Sequence, residues 1–352
     1  MLVLTSEEIL TPRESGKFVA EHKVKSTFIK EEGVEKVSDL IFEALKSGEM
    51  GKVDWDNHPL HPRNGDEEAI NFVFFMDVIN FSFWTDAERQ YTTTLDGQTY
   101  TAYFAAAAAV NRALRNNIPI TSAQFMANIT VDQMKDLFRS DSYGTIPLVS
   151  ERVDVLNEAG KVLLEKFNGS FYNVLKQCNK SAVALLELIV TNFKSFKDYS
   201  VYEQQVVALL KRAQILVADC YGCLKGKNEI GNFADIGELT MFADYRVPQV
   251  LYFFGALEHD EEVMVRLQND YEFMNNEPME VCLRACSIHA VELIITSVIK
   301  KLRKAKRRKE VIRDQRRVTA MDVDIFLWLY RREHAAEIEA TVKPHRVRCI
   351  YY

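Results

Sequence analysis

The feature that most constrains this chain is the apolar run that begins at Val281. Val281, Ile288, Val291, Leu293, Ile294, Ile295 and Val298 recur at helical spacing, yet they cover more than one side of a helix. Such a helix is stable only when neighbours cover it on several sides, so the rest of the chain must wrap around it. The material is there: 352 residues, of which 47% are hydrophobic and 11% aromatic, enough for a sizeable core in about one to three domains. No run approaches the ~18 apolar residues that a membrane span needs, so the helix is expected inside a protein core and no membrane partner is expected. Fourteen Gly and eight Pro are spread without an obvious linker, internal repeat or low-complexity block. One unit over 1–352 is therefore expected, with an N-terminal lobe at about 1–120 and a helical core at about 121–352.

Local signals fill in the rest. Thr11-Pro12-Arg13-Glu14 reads as a helix start, with Thr as cap, Pro in the first turn and Glu14 closing a capping box. Thr121-x-x-Gln124 and Thr130-x-x-Gln133 repeat that logic. Residues 80–84 (NFSFW) alternate aromatics. YTTTL, the pair Asp96-Gly97 and QTYTAYF follow. An Asp-Gly pair between β-rich runs is a hairpin signal, so a small antiparallel sheet is expected over about 80–104, covered by helices or loops. The alanine-rich run 105–114 favours helix. Val153, Leu156, Val162, Leu163 and Phe167 predict a helix, and Val206, Leu209, Leu210, Ala213 and Leu216 predict another over 203–218. The fold class expected is mainly α with a small antiparallel β-sheet.

Charge and cysteine content exclude some functions. The net charge is −6, which argues against a general nucleic-acid binder. Eleven Lys and Arg against Glu310 and Asp314 give 300–317 a local charge of +9, leaving −15 for the remainder. That segment reads either as an RNA or phosphate contact or as a solvated helix extension. The second is preferred, because no aromatics are interleaved to stack on bases. The N-terminus lacks a basic region and meets acidic residues at once, so no signal peptide is expected. The six cysteines are then read as reduced thiols in a cytoplasmic protein, for which nuclear presence is compatible. Cys220-x-x-Cys223 has no second pair at zinc-finger spacing. Cys282 and Cys286 share a helix face as core thiols.

Motifs for chemistry are sparse. There is no Gly-rich phosphate loop, HExxH or GxSxG, so neither a metal nor any other cofactor is expected. The most unusual run is Leu239–Val250, LTMFADYRVPQV, which sets an acid, an aromatic, a base and a proline in an apolar stretch. Asp244 beside Phe242 and Tyr245 can be partly desolvated and can stabilise an oxocarbenium ion, activate water or attack directly. The plainer reading is an Asp–Arg pair capping a helix whose first turn holds Pro248.

At this point the sequence resembles a known family. TPRES (11–15), NFSFW (80–84), AAVNRAL (108–114), IPITSA (118–123), GKVLLEKFNGSF (160–171), KRAQILVAD (211–219), LTMFADYRVPQVL (239–251), DIFLW (324–328) and HRVRCIYY (345–352) resemble runs of the queuosine 5′-phosphate N-glycosylase/hydrolase family, also called the queuosine salvage family. The resemblance implies a helical core similar to helix-hairpin-helix DNA glycosylases. It implies an EC 3.2.2-type enzyme that hydrolyses queuosine 5′-phosphate to queuine and ribose 5-phosphate without a metal. By the same resemblance Asp244 is catalytic, and Phe242 helps enclose the base. His58, in the Trp55–Arg63 loop, contacts substrate, as does Asp324 ahead of Trp328. Lys211 and Arg246 are the candidates for the phosphate, Lys211 reading otherwise as a surface lysine and Trp328 otherwise as core. Family members can carry an acidic residue after that tryptophan, where this chain has Leu329; the departure bears on affinity for the arm of the base, not on the reaction. The expected partner is the small nucleotide, with direct tRNA binding not expected and a monomer expected. The competing readings are a glycosylase or binding module acting on RNA, and a non-enzymatic helical scaffold.

Overall fold

The computed structural model describes residues 9–52, 55 and 58–352; the leader reading falls mostly on residues 1–8, outside the described residues. The chain is mainly helical, with several small sheets. It divides into two compact units. One comprises 1–53, 198–211 and 237–348, the other 54–197, 212–236 and 349–352.

The first unit is built on the helix Pro278–Arg307. Helices Pro12–Glu21, Glu31–Ser47, Val247–Phe253 and Ala320–Glu333 pack against it. Val281, Cys282, Ala285, Cys286, Ile288, Val291, Ile294 and Val298 all enter one core cluster. By length and composition alone the helix could cross a membrane, since an 18-residue window is apolar enough. That corrects the expectation that no run comes near a span. With 67% of the window buried inside the fold, its apolarity is spent on neighbouring helices, as the wide stripe required. Gly33 lets helix Glu31–Ser47 lie directly on the turn at Gly255, since a Cβ there would sit 1.9 Å from the Gly255 carbonyl carbon.

The expected helix over 203–218 is not continuous. Gln205–Ala208 is a strand, parallel to Ile9–Leu10 and antiparallel to Tyr199–Tyr202, and a helix begins only at Lys211. Leu210 lies between them at φ +51°, a left-handed conformation that ends the strand. Apolar residues on both sides of the break happen to continue a helical spacing, which is why periodicity misread it. The capping box at Thr11 is present.

The basic segment starts as the last turns of helix Pro278–Arg307. From 310 to 319 the chain is neither helix nor strand. Lys301 pairs with Glu35 at 2.9 Å and with Asp39, and Arg316 with Asp314 at 2.8 Å and Asp322 at 3.2 Å. The Asp314 N–H donates to the Leu45 carbonyl at 3.0 Å.

In the second unit the hairpin is confined to Thr92–Leu95 and Gln98–Thr101, in antiparallel register across Asp96 (φ +52°) and Gly97 (φ +77°). Two positive φ values in a two-residue loop suit the twist of the strands. Helix Ala102–Arg115 follows at once, with Ala105–Val110 buried. Residues 80–84 are not a strand, which narrows the expected 80–104 sheet. Their backbone is held by the buried Arg152. Its guanidinium donates to the carbonyls of Ile79, Phe81 (2.6 Å) and Ser82 (3.4 Å), and lies over the rings of Phe81 and Phe83. Arg152 thus satisfies these buried carbonyls without a strand ladder. The capping box at Thr130 is present, whereas at 121–124 the cap is Ser122, whose side chain accepts from the Phe125 N–H. Gly160 allows helix Val149–Lys166 to meet helix Ala123–Asn128, since a Cβ there would sit 2.3 Å from the Ala127 nitrogen.

Candidate active site

Leu239, Thr240, Met241, Phe242 and Ala243 are buried, in a stretch that is neither helix nor strand. A buried irregular backbone must find hydrogen-bond partners outside itself, and here the side chains of Arg284 and Asp324 provide them. The Ala243 carbonyl accepts from Nε of Arg284 at 2.8 Å. The Phe242 N–H donates to Oδ2 of Asp324 at 3.0 Å. Asp244, half-buried, comes next. Its Oδ1 accepts the N–H of Arg246 at 2.8 Å and of Val247 at 3.1 Å. These bonds turn the chain into helix Val247–Phe253, with Pro248 in its first turn. The capping role expected of Asp244 is therefore present, and one oxygen suffices for it. No bond to Oδ2 is found among the described residues, so a capping carboxylate still presents a free face.

Asp324 lies on helix Ala320–Glu333 and is buried. Its carboxyl is held well above the ordinary Asp range, first by burial and then by the charge of Asp244; the Phe242 N–H and the charge of Lys211 act against the rise. A neutral Asp324 adds no second negative charge beside Asp244 and can donate a hydrogen bond. Trp328 is half-buried one helical turn further on, with the Arg332 guanidinium 5.1 Å from its ring. Turn spacing sets Asp324 and Trp328 on one face.

Lys211 is only 6% exposed, which corrects the alternative of a surface lysine. Its N–H donates to Oδ2 of Asp198 at 3.1 Å. Asp198 also accepts from Arg284 at 2.6 and 3.1 Å, and Arg284 reaches Glu280 at 3.2 Å. All three of these charged side chains are buried. Arg246, half-buried, reaches Glu339 at 3.2 Å and Gln249 at 3.4 Å. Tyr245 between these groups has its phenol raised by burial, with Arg246, Asp244 and Arg331 acting on it.

Of the residues singled out from sequence, the first unit thus holds Lys211, Phe242, Asp244, Arg246, Asp324 and Trp328. His58 belongs to the second unit. Its ring stacks on Phe104 at 3.8 Å, and its Nδ1 accepts the Leu60 N–H at 3.3 Å. In the same loop His61 stacks on Trp55 at 4.3 Å.

Sequence reasoning missed Arg284, Asp198 and Arg331. Arg284 had a signal, a lone cation inside the apolar stripe Val281–Cys286. Among the described residues no group of three or more His, Cys, Asp or Glu could hold a metal ion. The six cysteines are buried and form no disulfide, with the Sγ atoms of Cys282 and Cys286 3.9 Å apart.

The arrangement can hold a carboxylate face toward a developing cation in a largely desolvated setting. Comparison with known proteins fits that capacity. The sequence profile of the queuosine salvage protein family matches residues 60–352. A protein of Mus musculus named queuosine 5′-phosphate N-glycosylase/hydrolase is 43% identical over 345 residues, covering 97% of this chain and 99% of its own length. Proteins of the same name from Nematostella vectensis and Schizosaccharomyces pombe are each 35% identical, covering 99% and 91% of this chain and 100% and 93% of their own lengths.

Proposed function

The chain belongs to the queuosine salvage protein family, and from that premise we propose that it hydrolyses the N-glycosidic bond of queuosine 5′-phosphate, releasing queuine and ribose 5-phosphate. The observation that carries this reading is the state of Asp244, fixed through one oxygen by two backbone N–H groups and open at the other. The whole chain acts as one hydrolase unit, its helical core of the helix-hairpin-helix glycosylase kind.

Cleavage builds positive charge on the ribose as the base departs. A carboxylate fixed below C1′ stabilises that charge without reorganising. Asp244 does this, and it also orients the attacking water. Queuine is a 7-deazapurine, so protonation at N7 is not available to help it leave. Help must come through other edge atoms of the base, and His58 is the proposed contact, on the family motif alone. Phe242 and Trp328 wall the ring. The arm of the base carries a secondary amine, cationic near neutral pH, and Asp324 is its partner. Burial favours the protonated form of Asp324 in the free protein, and an arriving cation favours the charged form, so the ion pair forms inside the site with the proton passing to solvent. Lys211 and Arg246 are the cations proposed for the phosphate.

The test is to offer the purified chain queuosine 5′-phosphate, free queuosine and intact queuosine-containing tRNA side by side, with and without exhaustive chelation, and to measure released queuine. The nucleotide is expected to be the best substrate by kcat/KM, because contacts at the phosphate hold the sugar over Asp244. Chelation is expected to leave the rate unchanged. Release from intact tRNA at a comparable rate would replace this reading with an RNA glycosylase, and no release from any of the three would leave a scaffold. A cytoplasmic location is proposed with it and is read by microscopy of the tagged chain.

A further inference from the structure

Beside Asp244 the first unit concentrates guanidinium groups on few acids. Arg246 and Arg331 converge on one carboxylate, that of Glu339, which Arg246 meets at 3.2 Å. They also share one amide oxygen, Oε1 of Gln249, at 3.4 and 3.3 Å. The Arg331 side chain is only 11% exposed, while Glu339 is 50% exposed. Two cations against one acid leave an excess positive charge in a partly desolvated place, an arrangement that is costly unless an anion completes it. Arg332, the next residue, brings a third guanidinium over Trp328. Arg331 is pushed down to about 10, first by burial and then by the charge of Arg246.

Position supplies the second argument. Asp324, Trp328, Arg331 and Arg332 stand at i, i+4, i+7 and i+8 of helix Ala320–Glu333, which is one face. Asp324 and Arg331 are about 10 Å apart along the axis, the order of length of a nucleoside monophosphate. Asp324 faces the Phe242 end of the irregular stretch through its bond to the Phe242 N–H. Arg331 shares Gln249 and Glu339 with Arg246, two residues beyond Asp244. The face thus runs from a carboxyl suited to a base, past an aromatic, to a cluster suited to a phosphate, with Asp244 alongside. Lys211, whose charge acts on Asp324, falls at the other end, so of the two cations named for the phosphate above this face keeps Arg246 and replaces Lys211.

We propose that Arg246, Arg331 and Arg332 form the seat of the substrate's 5′-phosphate, and that Glu339 holds the place of the phosphate in the free protein. The proposal rests on the hydrolase reading above and names the anion site it requires. Planar guanidinium forks match phosphate oxygens bidentately, and a half-exposed glutamate can swing out to solvent when a dianion arrives.

The test has two arms. In the first, inorganic phosphate is titrated against the full chain and its variants by thermal shift and calorimetry, with no turnover involved. Phosphate is expected to stabilise the wild type and to lose roughly 10- to 100-fold in affinity in Arg331→Gln and in Arg332→Gln. It is expected to bind tighter in Glu339→Gln, where the competing carboxylate is gone. In the second arm, the ratio of kcat/KM for queuosine 5′-phosphate over free queuosine is expected to fall by a similar factor in the arginine variants. Phosphate binding that is unchanged in folded Arg331→Gln and Arg332→Gln, or a ratio equal to that of the wild type, overturns the seat. If Arg331→Gln fails to fold, Glu339→Gln decides, since unchanged phosphate affinity there refutes the displacement. A wild type that releases no base refutes the hydrolase reading, and the phosphate titration still decides the seat.

Discussion

Replacing Asp244 by Asn separates the capping role seen in the structure from the catalytic role proposed for it. Oδ1 of Asp244 accepts two backbone N–H groups at the head of helix Val247–Phe253. Asn keeps an oxygen of the same shape in the same place, so both bonds survive in neutral form. The stability loss is expected to stay within about 1 kcal/mol, since charged acceptors exceed neutral ones by roughly a factor of two in strength. Asp244→Ala removes the acceptor and leaves two N–H groups to water, at about 1–2 kcal/mol, the cost of a lost cap. Catalysis divides differently. Both variants lose the negative charge that faces the developing cation, and removal of even one pre-placed stabilising group costs about 10²–10³ in kcat. A carboxylate bearing a full charge is expected to cost at least roughly 10³-fold, about 4 kcal/mol. Single-turnover release of queuine, followed by chromatography, gives the rate, and urea midpoints give the stability. The expected pattern is two nearly inactive variants of distinct stability, with base binding retained in Asp244→Asn. A folded Asp244→Asn within tenfold of the wild-type rate would mean that Asp244 only caps the helix, and the mechanism would be wrong.

Arg284→Met is expected to cost about 3–5 kcal/mol in urea unfolding, because Asp198 and Glu280 are then buried without their cation; a loss under about 1 kcal/mol would show that the network relaxes to water. Substrate binding is expected to release a proton, since burial and Asp244 raise the range of Asp324 in the free protein and the cationic arm lowers it again. Calorimetry in buffers of different ionisation heat measures it, and equal heats across buffers, or the same release in Asp324→Asn, contradicts the assignment. Burial pushes His259 down to about 4 and His345 down to about 3. The unfolded chain takes up protons at these histidines from about pH 6.5 downward while the folded chain does not, so their contribution is intact above that pH and is lost as pH falls toward 4. Thermal melts across that range are expected to drop steeply, less so in His345→Gln; parallel curves for the two proteins would exclude His345 as a cause.

Much of this molecule is written locally. The capping boxes at Thr11 and Thr130 depend on bonds across three residues, and the hairpin turn at Asp96-Gly97 depends on what φ two residues tolerate. The wide apolar stripe of 281–298 forces burial wherever the helix ends up. Such features need no knowledge of distant chain. The family resemblance rests the proposal for Asp244 on a run of adjacent residues in the same way.

Other features depend on partners that no local pattern announces. Helical spacing from Val206 to Leu216 is shared by a strand and a helix, and only the left-handed Leu210 between them, seen in three dimensions, decides the matter. The aromatic alternation of 80–84 reads as a strand until Arg152 arrives to take its carbonyls. Arg284 finds Asp198 at a separation of 86 residues. The raised range of Asp324 comes from burial and from the carboxylate of Asp244, 80 positions away. Arg246 and Arg331 meet at Glu339 and at Gln249, each distant in sequence from at least one of them. Hydrogen-bond spacing and turn preference act over one turn of chain, whereas desolvation and Coulomb fields act through space, so sequence alone determines the elements and only the packed structure decides which charges face each other.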